Sequence, residues 1–217
     1  MKAVLLALAV VVWASSGLAQ SSPVFKIDFS NPGLDPPHWT MTLSTDGSGH
    51  FRADRAGSPS QSQPQVDPPL ADRDIHLNAA FASHVFFIAR RHNLFNSPCD
   101  SHLKVAFEGL KRLSYSGPEG EGSCEFNYSR DAEIQGLGES LVAVAATINE
   151  GMRLENLLQH DRLGLDKEME YVSEAAIAGR LQQIGTIRDI LQRLAEDDSV
   201  LDRVRKRAAA LLAMAVN

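Results

Sequence analysis

The segment SGPEGEGSCEFNYS, residues 116–129, concentrates glycines and carboxylates as phosphate and metal sites do. A phosphate-binding loop needs a strand before its glycines, a helix after them and a lysine nearby. Here a strand-like alternation follows the glycines, no lysine is present, and Glu119 and Glu121 would repel an anion. The segment also lacks the alternating oxygen ligands of a calcium loop, although a weak cation site at the two glutamates is an alternative. We predict that it is the turn of a β-hairpin.

The seven histidines are spread over the chain, at positions 38, 50, 76, 84, 92, 102 and 160. His92, Cys99 and His102 come closest to a ligand cluster, but their spacing matches no zinc pattern. His160 and Asp161 resemble half of a catalytic pair, but neighbouring side chains on a helix do not face each other. Neither the Gly-x-Ser-x-Gly motif nor the His-Glu-x-x-His motif of common hydrolases occurs. We therefore predict no catalytic residue, no metal and no cofactor.

The first nineteen residues have the features of an export signal. Lys2 supplies a positive start, an apolar run follows, and small residues at Gly17 and Ala19 precede a cleavage site before Gln20. An uncleaved membrane anchor is the alternative, but the apolar run is short and its flank is small and polar. We predict a secreted or periplasmic soluble protein that keeps no transmembrane anchor after processing.

The chain contains two cysteines, Cys99 and Cys124. In the oxidising compartment to which an export signal leads, we expect them to form a disulfide, and a reactive or metal-binding thiol is the alternative. The bond would close a loop of about 25 residues and stabilise the fold by roughly 3 kcal/mol in the chain-entropy model.

The charge balance argues against a nucleic-acid partner. The formal net charge is −6, with 27 acidic against 21 basic residues, and removal of Lys2 with the signal makes the balance more negative. Such a surface repels nucleic acid and anionic lipid as a whole. A local exception is the basic run on the last helix, formed by Arg203, Arg205, Lys206 and Arg207. We interpret this run as a solvated helix face; contact with anionic lipid or the cell wall is the alternative.

The region after the signal is predicted to form antiparallel strands. Apolar residues alternate with polar ones in two runs, at Phe25, Ile27 and Phe29 and then at Trp39, Met41 and Leu43. The pair Asp46-Gly47 is typical of a hairpin turn, so Phe51 and Ala53 should lie on a returning strand. The serine- and proline-rich segment 55–73 is predicted to be a connecting loop.

A helix and further strands are predicted in the middle of the chain. The helix should begin near Asn78 and its apolar stripe should end at Phe95. Leu103, Val105 and Phe107 alternate as in a strand, and Gly109 would form a bulge in that strand.

The next two strands should form the hairpin that contains residues 116–129. We expect Tyr115 to pair with Cys124 and Leu113 to pair with Phe126, because these pairs make one face continuously apolar.

From Arg130 onward, apolar residues recur every three or four positions, which predicts helices. We expect a break or bend near Gly151, after which residues 152–160 either prolong this helix or start another. A helix capped by Asp166 and a last helix capped by Ser199 should follow.

These patterns together predict an α+β fold. A signal peptide at 1–19 precedes an α+β region at 20–129, in which antiparallel strands pack with one helix. A region of three to four helices at 130–217 follows and is expected to pack on the first region as one globular unit.

Two stretches resemble a family of uncharacterised exported bacterial proteins. They are KVAFEGLKRLSYSGPEGEGSCEFNYSRDAEIQGL, residues 104–137, and HDRLGLDKEME, residues 160–170. In that family a signal peptide precedes a short αβ region, a strand similar to FNYS and a helical tail. The resemblance implies an envelope or extracellular location, and it implies no activity, ligand or catalytic residue.

We predict that the protein is a non-enzymatic binding module whose partner is an envelope or extracellular protein or glycan. One alternative is an envelope hydrolase with a site assembled from distant residues, for which the candidates are His84, His92, His102 and His160. The other is an inhibitor-like protein that blocks an enzyme with an exposed loop, for which the candidate is the segment from Glu119 to Glu121.

Overall fold

The computed structural model describes residues 22–55 and 70–215 of the chain. The predicted signal peptide, with its cleavage site between Ala19 and Gln20, lies outside the described residues, as does most of the predicted connecting loop. Within the described ranges, the α+β prediction is confirmed: a six-stranded antiparallel sheet with one helix precedes a region of four helices.

The sheet has the strand order β4-β3-β2-β1-β5-β6, and all neighbouring strands are antiparallel. Its strands are β1 (Val24–Ser30), β2 (His38–Ser44), β3 (Ser48–Ala53), β4 (Ala71–His76), β5 (Leu110–Gly117) and β6 (Gly120–Phe126). The predicted alternation in β1 and β2 places their apolar residues on one buried face. The predicted turn joins β2 to β3, and the Asp46 carboxylate accepts a hydrogen bond from the Ser48 backbone N–H at 2.9 Å.

The predicted connecting loop at 55–73 is too long at its C-terminal end, because strand β4 occupies its last residues. The strand begins at Ala71 and pairs with β3 along its whole length. Its alternation is hard to read from the sequence because only Ala71 and Ile75 reach the core, while the residues between them are charged. Charged side chains are typical of an edge strand, since they discourage pairing with another chain.

Helix α1 (Ala79–Arg91) covers the buried face of the sheet. It begins where the sequence predicts, because the Asn78 side chain accepts a hydrogen bond from the Ala80 backbone N–H at 2.7 Å and so caps the helix. Its apolar stripe lies in the sheet core, and Phe95, just after the helix, is also buried.

The predicted strand at Leu103, Val105 and Phe107 is absent, because the chain from Asp100 to Gly109 has no regular secondary structure. The hairpin β5–β6 forms, but its register differs from the prediction. Leu113 pairs with Cys124, and Lys111 takes the place opposite Phe126. The turn is tighter than expected, since Gly117 pairs with Gly120, and a shift of two residues leaves every side chain on its predicted face.

The four C-terminal helices are α2 (Ala132–His160), α3 (Leu165–Ile177), α4 (Arg188–Glu196) and α5 (Asp202–Met214). Helix α2 runs through Gly151 without a break, so residues 152–160 prolong it rather than start another helix. The predicted caps are displaced: Gly164 precedes α3, with Asp166 in its first turn, and Leu201 rather than Ser199 precedes α5.

Helix α2 connects two hydrophobic clusters. Its first half packs in the sheet core through residues such as Leu141 and Val144, and its second half packs with α3, α4 and α5 through Leu154 and Leu158. Among the residues described, no helix is long and apolar enough to cross a membrane.

Candidate functional site

The histidines proposed for a hydrolase site do not contact a nucleophile. In the described part of the chain, the side chains of His84 and His160 make no hydrogen bond and are exposed. His102 is 85% exposed and contacts the carboxylate of Asp100 at 3.2 Å. Across the described ranges, none of these imidazoles is hydrogen-bonded to a serine, threonine or cysteine side chain, which a nucleophile and base pair requires.

His92 lies in a cleft of about 370 Å³ beside the two cysteines. Its Nε2 atom is 2.8 Å from the Glu133 carboxylate, and its Nδ1 atom is 3.5 Å from Asp131, which caps helix α2. The imidazole therefore connects the end of α1 to the start of α2. Over the described residues, no three histidine, cysteine, aspartate or glutamate side chains are arranged to hold a metal ion.

The predicted disulfide between Cys99 and Cys124 is present, with the two Cα atoms 5.8 Å apart. It joins the segment after α1 to strand β6. The same segment covers the outer edge of β6, since Asn96 Nδ2 donates to the Glu121 carbonyl at 2.7 Å. The crossing depends on Gly122, because a Cβ atom there would lie 2.2 Å from the Leu94 carbonyl oxygen. The disulfide thus fixes the backbone at Cys99, shortly before residues 102–108.

Residues 102–108, here called the apolar loop, are all exposed. The side chains that would have faced the core in a strand point to solvent instead, with exposed fractions of 46% for Leu103, 44% for Val105 and 57% for Phe107. Three large apolar side chains are thus exposed within five consecutive residues, which makes this loop an apolar patch. Such patches on a protein surface mark interaction sites more often than single exposed apolar residues do.

The apolar loop is held to the sheet by the side chain of Asn127, which follows β6. Its Oδ1 atom accepts a hydrogen bond from the Glu108 backbone N–H at 2.8 Å, and its Nδ2 atom donates to the Ala106 carbonyl at 3.0 Å. We call this pair of hydrogen bonds the Asn127 bridge. Because it uses both polar ends of the amide, the bridge fixes the backbone on either side of Phe107.

Asn127 is itself held by two charged side chains. Its backbone N–H donates to the Asp100 carboxylate at 3.0 Å, and its carbonyl accepts from Lys111 Nζ at 3.0 Å. Lys111 is only 3% exposed, and its ammonium also lies 5.5 Å from the centre of the Phe126 ring. Burial lowers the pKa of Lys111. The burial of Lys111 is thus explained by its hydrogen bond to the carbonyl of Asn127, the residue that holds the apolar loop.

The segment 116–129, which was considered above as a phosphate or metal site, contains a tight turn followed by strand β6. Glu119 accepts hydrogen bonds from the Tyr115 hydroxyl and from Arg90, the latter at 2.8 Å. The Tyr115 hydrogen bond, followed by that of Arg90, lowers the pKa of Glu119. Because its carboxylate is paired within the chain, this turn is a poorer candidate for a blocking loop than the apolar loop.

The basic run on α5 is paired with carboxylates. Arg203 and Arg207 contact Asp166 of α3, whereas Arg205 and Lys206 contact Asp202 of their own helix. These ion pairs support the interpretation of the run as a solvated helix face, since its charges are already compensated.

A carboxyl pair between α2 and α3, formed by half-buried Glu150 and buried Glu168, was not recognised from the sequence. Glu168 is 8% exposed and contacts Arg153 at 2.8 Å. Burial, and then the hydrogen bond with Glu168, raise the pKa of Glu150 to about 7. The available signal was the position of Glu168 on the apolar stripe of α3, between Leu165 and Val172.

Comparison with models of known protein families finds no match to this chain, and comparison with curated proteins finds none either. The apolar loop, with its support from Asn127 and the disulfide, is therefore assigned as the candidate site on the geometry alone.

Proposed function

We propose that this protein is a non-enzymatic binding module of the cell envelope or extracellular space, and that it binds a partner protein through the apolar loop. The observation that carries the proposal is the exposure of Leu103, Val105 and Phe107 on a loop whose backbone the Asn127 bridge fixes on both sides of Phe107. Exposed apolar side chains cost solubility, and an ordered backbone reduces the entropy lost on binding. Both properties suit a loop that binds another molecule.

A protein partner fits this surface better than the other classes. Burial of phenylalanine and leucine side chains in an apolar groove makes the free energy of binding more favourable, and proteins offer such grooves whereas nucleic acids do not. The negative net charge of the chain opposes binding to nucleic acid or to anionic lipid. The loop contains no tyrosine or tryptophan with which to stack on a sugar ring.

The proposed location is supported by the predicted export signal and by the disulfide between Cys99 and Cys124, which is stable where the environment is oxidising. The resemblance to exported bacterial proteins supports the same location. A partner in the envelope or outside the cell would meet the folded, disulfide-bonded protein.

The proposal can be tested with a variant in which the three apolar side chains of the loop are replaced, L103S/V105S/F107S. The matched control, L163S/I177S/M214S, replaces three exposed apolar side chains elsewhere on the surface. A photo-crosslinking residue at position 105 should capture a defined protein from the extracellular fraction, and the same residue at position 177 should not. Adding an excess of the unlabelled matched control should compete with this crosslink, whereas the loop variant should not compete.

Competition by both variants to the same extent would overturn the proposal, because binding would then not depend on the loop. Wild-type co-sedimentation with vesicles of anionic lipid, lost only in the loop variant, would also overturn it in favour of a membrane contact. Circular dichroism of both variants checks that the fold is retained.

A further inference from the structure

The Asn127 bridge gives Phe107 a special position within the apolar loop. The bridge binds the carbonyl of the residue before Phe107 and the N–H of the residue after it. Asn127 binds these two neighbours and neither backbone group of Phe107, and within the described ranges no hydrogen bond to the Phe107 N–H or C=O is formed.

Phe107 thus offers a partner three things at once. Its side chain is 57% exposed, a larger fraction than that of Leu103 or Val105. Its backbone N–H and C=O are available to pair with an extended strand or with hydrogen-bond donors. Its position is fixed by the bridge to Asn127, whose own backbone is held by Asp100 and Lys111.

This combination matches what an endopeptidase cleft recognises. Such a cleft binds a segment in an extended conformation through main-chain hydrogen bonds, and it accepts one side chain in a specificity pocket. A segment whose backbone is already held on both sides of the recognised residue binds with little loss of entropy. After cleavage, both new ends would stay in place, so that the peptide bond could re-form before the segment leaves.

We propose that the apolar loop inhibits endopeptidases with a large apolar specificity pocket, with the Phe107 side chain in that pocket and the Phe107–Glu108 peptide bond at the catalytic centre. The inhibition needs no covalent step, because the bound loop keeps its peptide bond intact. This inference rests on the proposed function and names the partner of the same surface. It transfers the inhibitor-like role from the segment Glu119 to Glu121 to the apolar loop.

The choice of pocket follows from the side chain at the fixed position. A deep apolar pocket accepts phenylalanine, whereas a pocket with an aspartate at its base requires lysine or arginine. Chymotrypsin and trypsin have these two kinds of pocket and otherwise similar clefts. They are therefore suitable probes for an unidentified natural partner.

The experiment measures the hydrolysis of a small chromogenic substrate by each protease in the presence of the purified, disulfide-bonded protein. Chymotrypsin should be inhibited with a constant below about 10 µM, and trypsin at least about 100-fold more weakly. F107A should weaken the inhibition of chymotrypsin by at least about 30-fold, as expected for a central aromatic residue. The matched control F87A removes another exposed phenylalanine, 54% exposed on α1, and should leave the inhibition unchanged.

Two further variants test the geometry rather than the presence of an apolar patch. F107K should reverse the preference, so that trypsin becomes the better-inhibited protease. N127D keeps the acceptor for the Glu108 N–H but loses the donor to the Ala106 carbonyl. It should turn the inhibitor into a substrate: water adds across the Phe107–Glu108 bond, and mass spectrometry then detects a cut at that position.

The inference is overturned if wild-type protein at about 100 µM does not slow chymotrypsin, or if F107A and F87A inhibit equally. It is also overturned if F107K leaves the preference between the proteases unchanged. Loop-dependent crosslinking from position 105 in the absence of any protease inhibition would leave the proposed binding function standing and remove only this partner. If neither protease inhibition nor loop-dependent crosslinking is observed, the proposed binding function is overturned as well.

Discussion

Replacing both cysteines with alanine, C99A/C124A, should lower the free energy of unfolding by about 3.5 kcal/mol. The disulfide spans a sequence separation of 25 residues. In the chain-entropy model, a closed loop of this size removes about 12 cal/mol/K from the unfolded state, which is about 3.5 kcal/mol at 25 °C. Lost packing adds little, because only Cys124 of the two is buried.

The assay is urea denaturation followed by tryptophan fluorescence. Trp39 is a good probe, because it is 3% exposed and stacks on Phe29 with the ring centres 5.0 Å apart. With a slope of about 2 kcal/mol/M, the unfolding midpoint should fall by roughly 1.5–2 M urea. A reducing agent should produce the same decrease in the wild-type protein and no change in the variant, which serves as the control.

A decrease of less than about 1 kcal/mol would refute this reasoning, because the bond would then restrict an unfolded chain that is already compact. Binding by the apolar loop should survive in the variant at temperatures below its melting transition. The Asn127 bridge involves neither sulfur, so the loop keeps its own support.

Three further predictions concern the sheet and the helical region. Burial and Glu168 raise the pKa of Glu150 to about 7, so the free energy of unfolding should fall by about 1–2 kcal/mol as the pH rises from about 4.5 to above 7. Urea titrations at several pH values measure this loss, and E150Q should remove it. The pKa of His38 is raised mainly by its hydrogen bond to Asp28, so its stabilisation of the fold is complete below pH 6.5 and is lost as the pH rises through the raised value. The loss should be less than about 1 kcal/mol in the same titration, and it should be absent in H38Q. G151A should cost about 1–3 kcal/mol in a thermal melt, because the new Cβ would lie 2.3 Å from a methyl carbon of Ile187. The same substitution should cost less in an I187A background, where that methyl carbon is gone.

Much of the architecture could be predicted from the sequence, because it depends on interactions between residues close along the chain. The alternation in β1 and β2 has a period of two, which leaves only one way to bury their apolar side chains. The cap at Asn78 and the turn at Asp46 each form within a few residues. The pairing of Cys99 with Cys124 was predictable for another reason: with two cysteines only one intramolecular bond exists.

The candidate site could not be predicted in this way. Leu103, Val105 and Phe107 alternate like the buried strands, yet none of the strands in the described part of the chain pairs with them. The edge of β6 is already covered by the segment after α1. The register of the hairpin was open to a shift of two residues, since both registers bury the same faces.

The difference between the strands and the apolar loop therefore lies in their partners. An alternating segment becomes a buried strand only if a neighbouring strand offers unpaired backbone groups and the core offers space. The sequence determined which side chains are apolar and how they alternate. The tertiary structure decided that Asn127, rather than a strand, binds the backbone around Phe107 and leaves its side chain exposed.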